Sequence, residues 1–175
     1  MFSLSDKVAI VTGGAGDLGF AIAEAYSIAG AFVVLVGRNS SNLESAIKKL
    51  SSPHRAIAVT ADVSDENEVN AMVEIVIKKY GCVDILVTAA GIQHRSSVLT
   101  FESKMWEEVL KVNLTGAFYC AQAVAKYMVN KKFGRIIMIT SLTAEIGIPN
   151  VAAYAAGRGG VRQLAKTLAV ELALD

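Results

Sequence analysis

The segment Thr12-Gly13-Gly14-Ala15-Gly16-Asp17-Leu18-Gly19 lies between a short apolar run, Val8-Ala9-Ile10-Val11, and a helical pattern carrying Leu18, Ala21, Ile22 and Ala25. Glycines so placed permit positive φ, let the backbone approach a pyrophosphate, and let helix and strand pack closely. The helix that follows offers free N–H groups and the positive end of its dipole to phosphate oxygens. A bare glycine pattern is common in turns, so the strand–turn–helix setting is what gives this one meaning. Residues 7–63 are therefore expected to form a nucleotide-binding β-α-β unit, with Gly13, Gly14, Asp17, Leu18 and Gly19 at the phosphates.

The rest of the chain continues the alternation. Phe32-Val33-Val34-Leu35-Val36, Ala56-Ile57-Ala58-Val59, Ile85-Leu86-Val87 and Arg135-Ile136-Ile137-Met138-Ile139 read as four more strands. Apart from Arg135 they are apolar without in-out alternation, as expected for strands covered on both faces. Between them the period changes to that of helices: Val69, Met72, Val73, Val76 and Tyr80 share one face, and Leu114, Ala117, Phe118, Ala121, Val124, Ala125 and Met128 another. Ser64, ahead of Asp65, Glu66 and Glu68, reads as a helix N-cap. The order predicts an α/β fold, a doubly wound parallel sheet in three layers, α/β/α, of the Rossmann-like kind. At 175 residues the chain suits one domain, spanning 1–175.

Seventeen basic and 16 acidic side chains give a net charge of +1 without blocks of either sign, which offers no electrostatic reason for a nucleic-acid or membrane partner. Cys82 and Cys120, far apart in apolar surroundings, read as reduced buried thiols. His54 and His94 read as exposed loop residues without the partners a metal or a catalytic triad needs. No secretion signal or membrane-length apolar run is visible, so the expectation is a soluble, cytoplasmic protein with no metal. At the end of the second strand, where an NAD site places an acid, this chain has Gly37-Arg38-Asn39. Arg38 suits a 2′-phosphate and favours NADP(H) over NAD(H).

Five features in sequence resemble the short-chain dehydrogenases/reductases. Thr12-Gly13-x-x-x-Asp17-x-Gly19 is similar to their Thr-Gly-x-x-x-Gly-x-Gly turn. Asp62-Val63 resembles the pair that contacts adenine. Thr88-Ala89-Ala90-Gly91 resembles the Asn-Asn-Ala-Gly or Asn-Ala-Ala-Gly turn. Asn113 lies in the long fifth helix, and Ser141 precedes Tyr154 by 13 residues. The resemblance implies hydride transfer between a nicotinamide and a carbinol or carbonyl carbon. It makes Tyr154 the acid/base, Ser141 the group that orients the reacting oxygen, and Asn113 the anchor of a water in the proton relay. A free phenol has a pKa of about 10 and needs nearby positive charge to act near neutrality. The family uses lysine four residues after the tyrosine; here Arg158 stands there, beside Gly157, and is expected to contact cofactor ribose and slow turnover. Asn39, Ala89, Ala90 and Gly91 complete the expected cofactor contacts.

Gly91-Ile92-Gln93-His94-Arg95 and Ser141-x-x-x-Glu145 are similar to the gluconate 5-dehydrogenase branch of that family. Gln93, Arg95, Ser141 and Glu145 are then candidate contacts to a small sugar acid. Family members continue past the position of Asp175 with two more strands, a helix and a mobile loop, so the fifth strand is expected to have an unpaired edge. The resemblance also implies a homo-oligomer through the long helices. Asp17, which could cap its helix, Arg158 and the early end leave a second reading open: a catalytically weak or inactive dinucleotide-binding module.

Overall fold

Five strands too short to bury themselves alone are sandwiched between helices in the computed structural model, which describes residues 3–173. In chain order these are β1 (Val8–Thr12), α1 (Asp17–Ile28), β2 (Phe32–Gly37), α2 (Ser40–Ile47), β3 (Ala56–Thr60), α3 (Glu66–Tyr80) and β4 (Ile85–Thr88). Then follow α4 (Ser103–Leu110), α5 (Gly116–Lys131), β5 (Arg135–Met138) and α6 (Ala152–Glu171). The sheet order is β3-β2-β1-β4-β5, and all four pairings are parallel. The chain winds outward from β1 to β3, then crosses back to lay β4 on the other side of β1. The gap between β1 and β4 is therefore the topological switch point, where the loops after the two strands diverge and leave a crevice.

Alternate residues of one strand enter different cores, which is why the strands read as continuous apolar runs. Ile10, Val34, Val36 and Leu86 pack with Val69, Met72 and Val76 of α3 and Ala121 and Val124 of α5. On the opposite face Ala9, Val11, Leu35 and Val87 meet Ala23 of α1 and Leu43 and Ala46 of α2. Among the described residues no helix is long and apolar enough to cross a membrane.

The buried face of α1 is Gly19, Ala23 and Ser27, not the face of Leu18, Ala21 and Ala25. Gly19 has no side chain, so α1 lies close on β1 there and Leu18 is left 53% exposed. The cap of α3 is Asp65, whose carboxylate accepts the N–H groups of Asn67 and Glu68. Ser64 instead spends its N–H and hydroxyl on Asp62. Asn113 does not lie in a regular helix. Residues Lys111–Thr115 form a π-turn, closed by the Gly116 N–H on the Lys111 carbonyl, that joins α4 to α5. On α5 itself Phe118 faces outward.

A buried carboxylate organises the end of the sheet remote from the crevice. Asp84 accepts the Val8 N–H at 2.9 Å and the Lys131 ammonium at 2.7 Å, with the Lys7 ammonium at 4.0 Å. It thus binds the starts of β1 and β4 to the end of α5. Burial works against its ionisation, but the Lys131 and Val8 hydrogen bonds and the charges of Lys131 and Lys7 outweigh that and lower its pKa. Both cysteines are free. Cys120 is buried, and desolvation pushes its thiol up to about 12. Cys82 is only half-buried, its Sγ 3.6 Å from Asp84.

Candidate active site

The glycine turn is shaped by close backbone approach. Gly13 has φ +66°, and a Cβ there would sit 2.9 Å from the backbone of Ala90. A Cβ on Gly19 would collide with the Gly13 carbonyl. The Gly14 N–H donates to Val36, and the Thr12 hydroxyl accepts the Ala90 N–H at 3.2 Å. Thr12 therefore stitches the turn after β1 to the turn after β4, a role that its place ahead of the glycines does not reveal. Asp17 is the first residue of α1. The cap is Gly16 with an ordinary φ of −83°, and no side-chain capping bond forms, so the Asp17 carboxylate is not a cap. Nothing in the backbone requires glycine at position 17; the departure is one of charge.

Beside this turn lies a cleft of about 140 Å³ at the C-terminal ends of β1 to β4. Gly13, Arg38, Asp62, Val63, Ala90 and Gly91 line it, and all six are expected cofactor residues. Gly37, Ala61, Ile92 and Val112 complete the lining; they are apolar or featureless in sequence and carry no chemical signal of their own. Arg38 is exposed at the end of β2 and makes no ion pair among the described residues. The Asp62 carboxylate is opposed by burial, but the Ser64 N–H and hydroxyl, then Arg38 and Lys111, hold its pKa below the usual value. Asn39 is the N-cap of α2, its amide oxygen accepting the Asn42 N–H and the Ser41 hydroxyl. The cap bonds use only the amide oxygen, and the Nδ2 donor is left for a ligand.

The residues expected to carry the chemistry gather on the far side of β4. Asn113 is 1% exposed, and its amide is committed to a backbone pair: Oδ1 accepts the Ile92 N–H and Nδ2 donates to the Ile92 carbonyl, both at 2.8 Å. It clamps the π-turn to the loop after β4, so a relay water at this residue would be held by its main chain rather than by its amide. Tyr154 is half-buried in the first turn of α6. Arg158, one turn on and 6% exposed, lies with its guanidinium carbon 5.1 Å from the Tyr154 ring centroid. Its Nη1 donates to the Ile139 carbonyl at 2.7 Å, and its Nε has no protein partner. A Cβ at Gly91 would collide with this guanidinium, so the glycine makes room for the arginine. Gly157 is buried, and a Cβ there would meet Asn113 at 3.4 Å, an ordinary van der Waals contact.

Ser141 caps the 3-10 turn Leu142–Ala144, which packs on α6. Its oxygen accepts the Thr143 N–H at 3.2 Å, leaving its hydroxyl hydrogen free. Gln93 and Arg95 are exposed in the loop after β4. Glu145 is not held toward a ligand: its carboxylate pairs with Arg162 of α6 at 2.5 Å. His94 is half-buried, edge-on to Phe101 at 5.4 Å between ring centroids, rather than exposed. Thr88, where the family has asparagine, is buried with its hydroxyl unpaired within the protein.

The crevice thus lies at the switch point of the sheet, and Arg158 stands against the Tyr154 ring on α6. Residues 7–175 match the family described as short chain dehydrogenase. A 5-keto-D-gluconate 5-reductase from Escherichia coli is 36% identical, over 99% of this chain and 68% of its own length. A 3-oxoacyl-(acyl-carrier-protein) reductase from Synechocystis sp. is 38% identical, over 99% of this chain and 71% of its own. The solved structure of a gluconate 5-dehydrogenase from Burkholderia cenocepacia in complex with NADP and tartrate superposes with a TM-score of 0.93 at 34% identity. That match covers 99% of this chain and 68% of the other. The family match over residues 7–175, the relatives above 30% identity and the shared fold agree: the chain belongs to the short-chain dehydrogenase/reductase family.

Proposed function

We propose that this oxidoreductase uses NADP(H) to interconvert a secondary alcohol and a ketone on a small sugar acid of the gluconate/5-ketogluconate kind. The observation that carries the reading is the lining of the crevice. Arg38 is unpaired at the end of β2, where an NAD site keeps an acid, and it shares the cleft with Gly13, Asp62 and Gly91. The NADP and tartrate bound in the Burkholderia gluconate 5-dehydrogenase, and the similarity to the Escherichia coli 5-keto-D-gluconate 5-reductase, support the same choice.

The bound cofactor supplies or takes the hydride. The residues of the chain manage the oxygen and its proton. The free hydroxyl hydrogen of Ser141 donates to the reacting oxygen and fixes its direction. The Tyr154 hydroxyl gives that oxygen a proton in reduction and removes it in oxidation. Arg158 places positive charge beside the ring, where negative charge develops on the phenol oxygen during transfer. Arg95 can meet a substrate carboxylate at the mouth of the loop after β4, with Gln93 beside it. The assembly is read as a homo-oligomer through the long helices, which sedimentation would test.

The test is a titration with NADPH and NADH followed by turnover on 5-ketogluconate. Tighter binding of NADPH, weakened about tenfold or more by Arg38→Ala, and reduction of the ketone are the expected results. Preference for NADH overturns the cofactor assignment. Binding without turnover, also in Arg158→Lys, overturns the enzymatic reading in favour of a binding module.

A further inference from the structure

Tyr154, Arg158 and Arg162 follow one another at four-residue intervals on α6 and so form a ridge along one face. Facing this ridge is the segment 139–145 that carries Ser141. Three polar contacts join the two. Arg158 Nη1 donates to the Ile139 carbonyl at 2.7 Å, and the Thr140 hydroxyl donates to the Arg158 carbonyl at 3.1 Å. The Arg162 guanidinium meets the Glu145 carboxylate at 2.5 Å. Two ties therefore lie just before Ser141, and one lies just after the 3-10 turn that it caps.

The turn packs on α6 through the half-buried Thr143 and Ala144, but its outer side is bare. Leu142 is 64% exposed, and every residue from 145 to 150 is exposed. The first two ties act at the near end of the turn. Only the Glu145–Arg162 pair, among these contacts, closes its far end. Both partners are half-exposed, and such a pair adds little to global stability. Its place beside the Ser141 turn gives it a local reach, and catalysis tolerates very little error in the placement of a reacting hydroxyl.

We propose that Arg162 is a positioning residue: through Glu145 it holds the Ser141 turn down on α6, so that the Ser141 and Tyr154 hydroxyls address the same substrate oxygen. The proposal rests on the assignment of Ser141 and Tyr154 given above. It also accounts for Glu145, the glutamate four residues after Ser141, as a strap rather than a substrate ligand.

The experiment compares Arg162→Gln, Glu145→Gln, the double variant and the charge-swapped pair Glu145→Arg/Arg162→Glu, all in the full chain. The first readout needs no cofactor: hydrogen exchange at the Thr143 and Ala144 amides, which are bonded to the Ser141 side chain and carbonyl. Each single variant should exchange there about tenfold faster or more, with β1 and β4 amides unchanged. The double variant should add nothing further, and the swapped pair should recover protection. The second readout is 5-ketogluconate reduction, where kcat should fall about tenfold or more while the KM for NADPH stays put. Unchanged exchange at Thr143 and Ala144, or losses that add in the double variant, overturns the proposal. Exchange rising throughout α6 and the sheet does so as well. A wild-type chain with no turnover removes the assigned reaction, and the exchange pattern then decides the strap by itself.

Discussion

Asp17 puts a carboxylate at the first helical residue of α1, beside the N–H groups that the glycine turn would offer to a phosphate. For the empty protein this favours the helix, since an acid at a helix N-terminus is worth roughly 0.3–1 kcal/mol. For a bound pyrophosphate the same charge is repulsive. Asp17→Gly should therefore tighten NADPH several-fold in a fluorescence titration, most clearly at low salt, while lowering the thermal midpoint slightly. Arg158 is a second chemical departure at this scale. Its fork is held by the Ile139 carbonyl and leaves Nε without a partner, so the cation is tied to the strand end. Arg158→Lys should raise kcat for ketone reduction by about tenfold, a change of about 1.4 kcal/mol in the barrier. Equal or lower turnover in that variant counts against the reading. Most of these residues were legible because their chemistry is local: a glycine in a turn, an arginine where an acid is usual, a tyrosine at fixed distance from a serine. The partners that Glu145 and Asn39 have in the fold, Arg162 and the amide of Asn42, are facts of folding that residue type does not announce.

Among the elements, the strands were readable and one helix face was not. Burial on both sides leaves β1, β2 and β4 uniformly apolar, so their position follows from composition alone. The face of α1 was misread because hydrophobic periodicity counts side chains, and the residue that seats this helix is Gly19, which has none. The π-turn at Lys111–Thr115 was invisible for a related reason: its signature is a hydrogen bond shifted by one residue, a backbone event. Helix α6 carries three glycines, at 157, 159 and 160, and they differ in kind. Gly160 faces Leu114 at close range, whereas a Cβ on Gly159 meets nothing within 4 Å. Gly159→Ala should gain most of the helix-propensity difference, about 0.8–1 kcal/mol, and raise the melting temperature by roughly 2–4 °C in calorimetry. The outer edge of β5 is bare among the described residues, with Ile137 42% exposed, as the sequence led one to expect.

The molecule as a whole is polarised: ligand chemistry gathers at one end of the sheet and a structural charge at the other. Asp84 escaped notice because a lone acid at the start of a strand reads as a loop residue, and nothing in Val83-Asp84-Ile85 shows that Lys131 and Lys7 arrive from elsewhere. Its lowered pKa means that its stabilisation is complete above the unfolded carboxyl value, about 3.9, and is lost as pH falls through the lower folded value. Lys131 is shifted the other way, raised by its bond to Asp84. Its share is complete below about 10.4 and is lost as pH rises through the raised folded value. Asp84→Asn should cost roughly 3 kcal/mol at neutral pH, the low end for a buried pair because Lys131 keeps part of its hydration. It should also flatten the acid limb of a denaturation profile; an unaltered acid limb would place the titration elsewhere.

The Thr12–Ala90 stitch has a consequence for how the protein comes to exist. It joins residues 78 apart in the chain, across the β1–β4 pairing. Strands β1 to β3 can assemble from neighbouring sequence, but the glycine turn then lacks its opposite wall. Closing a contact of such long range costs more chain entropy than pairing neighbouring strands. A dinucleotide that recognises the closed crevice stabilises the finished molecule over such a half-formed one, so cofactor supply acts on folding as well as on catalysis.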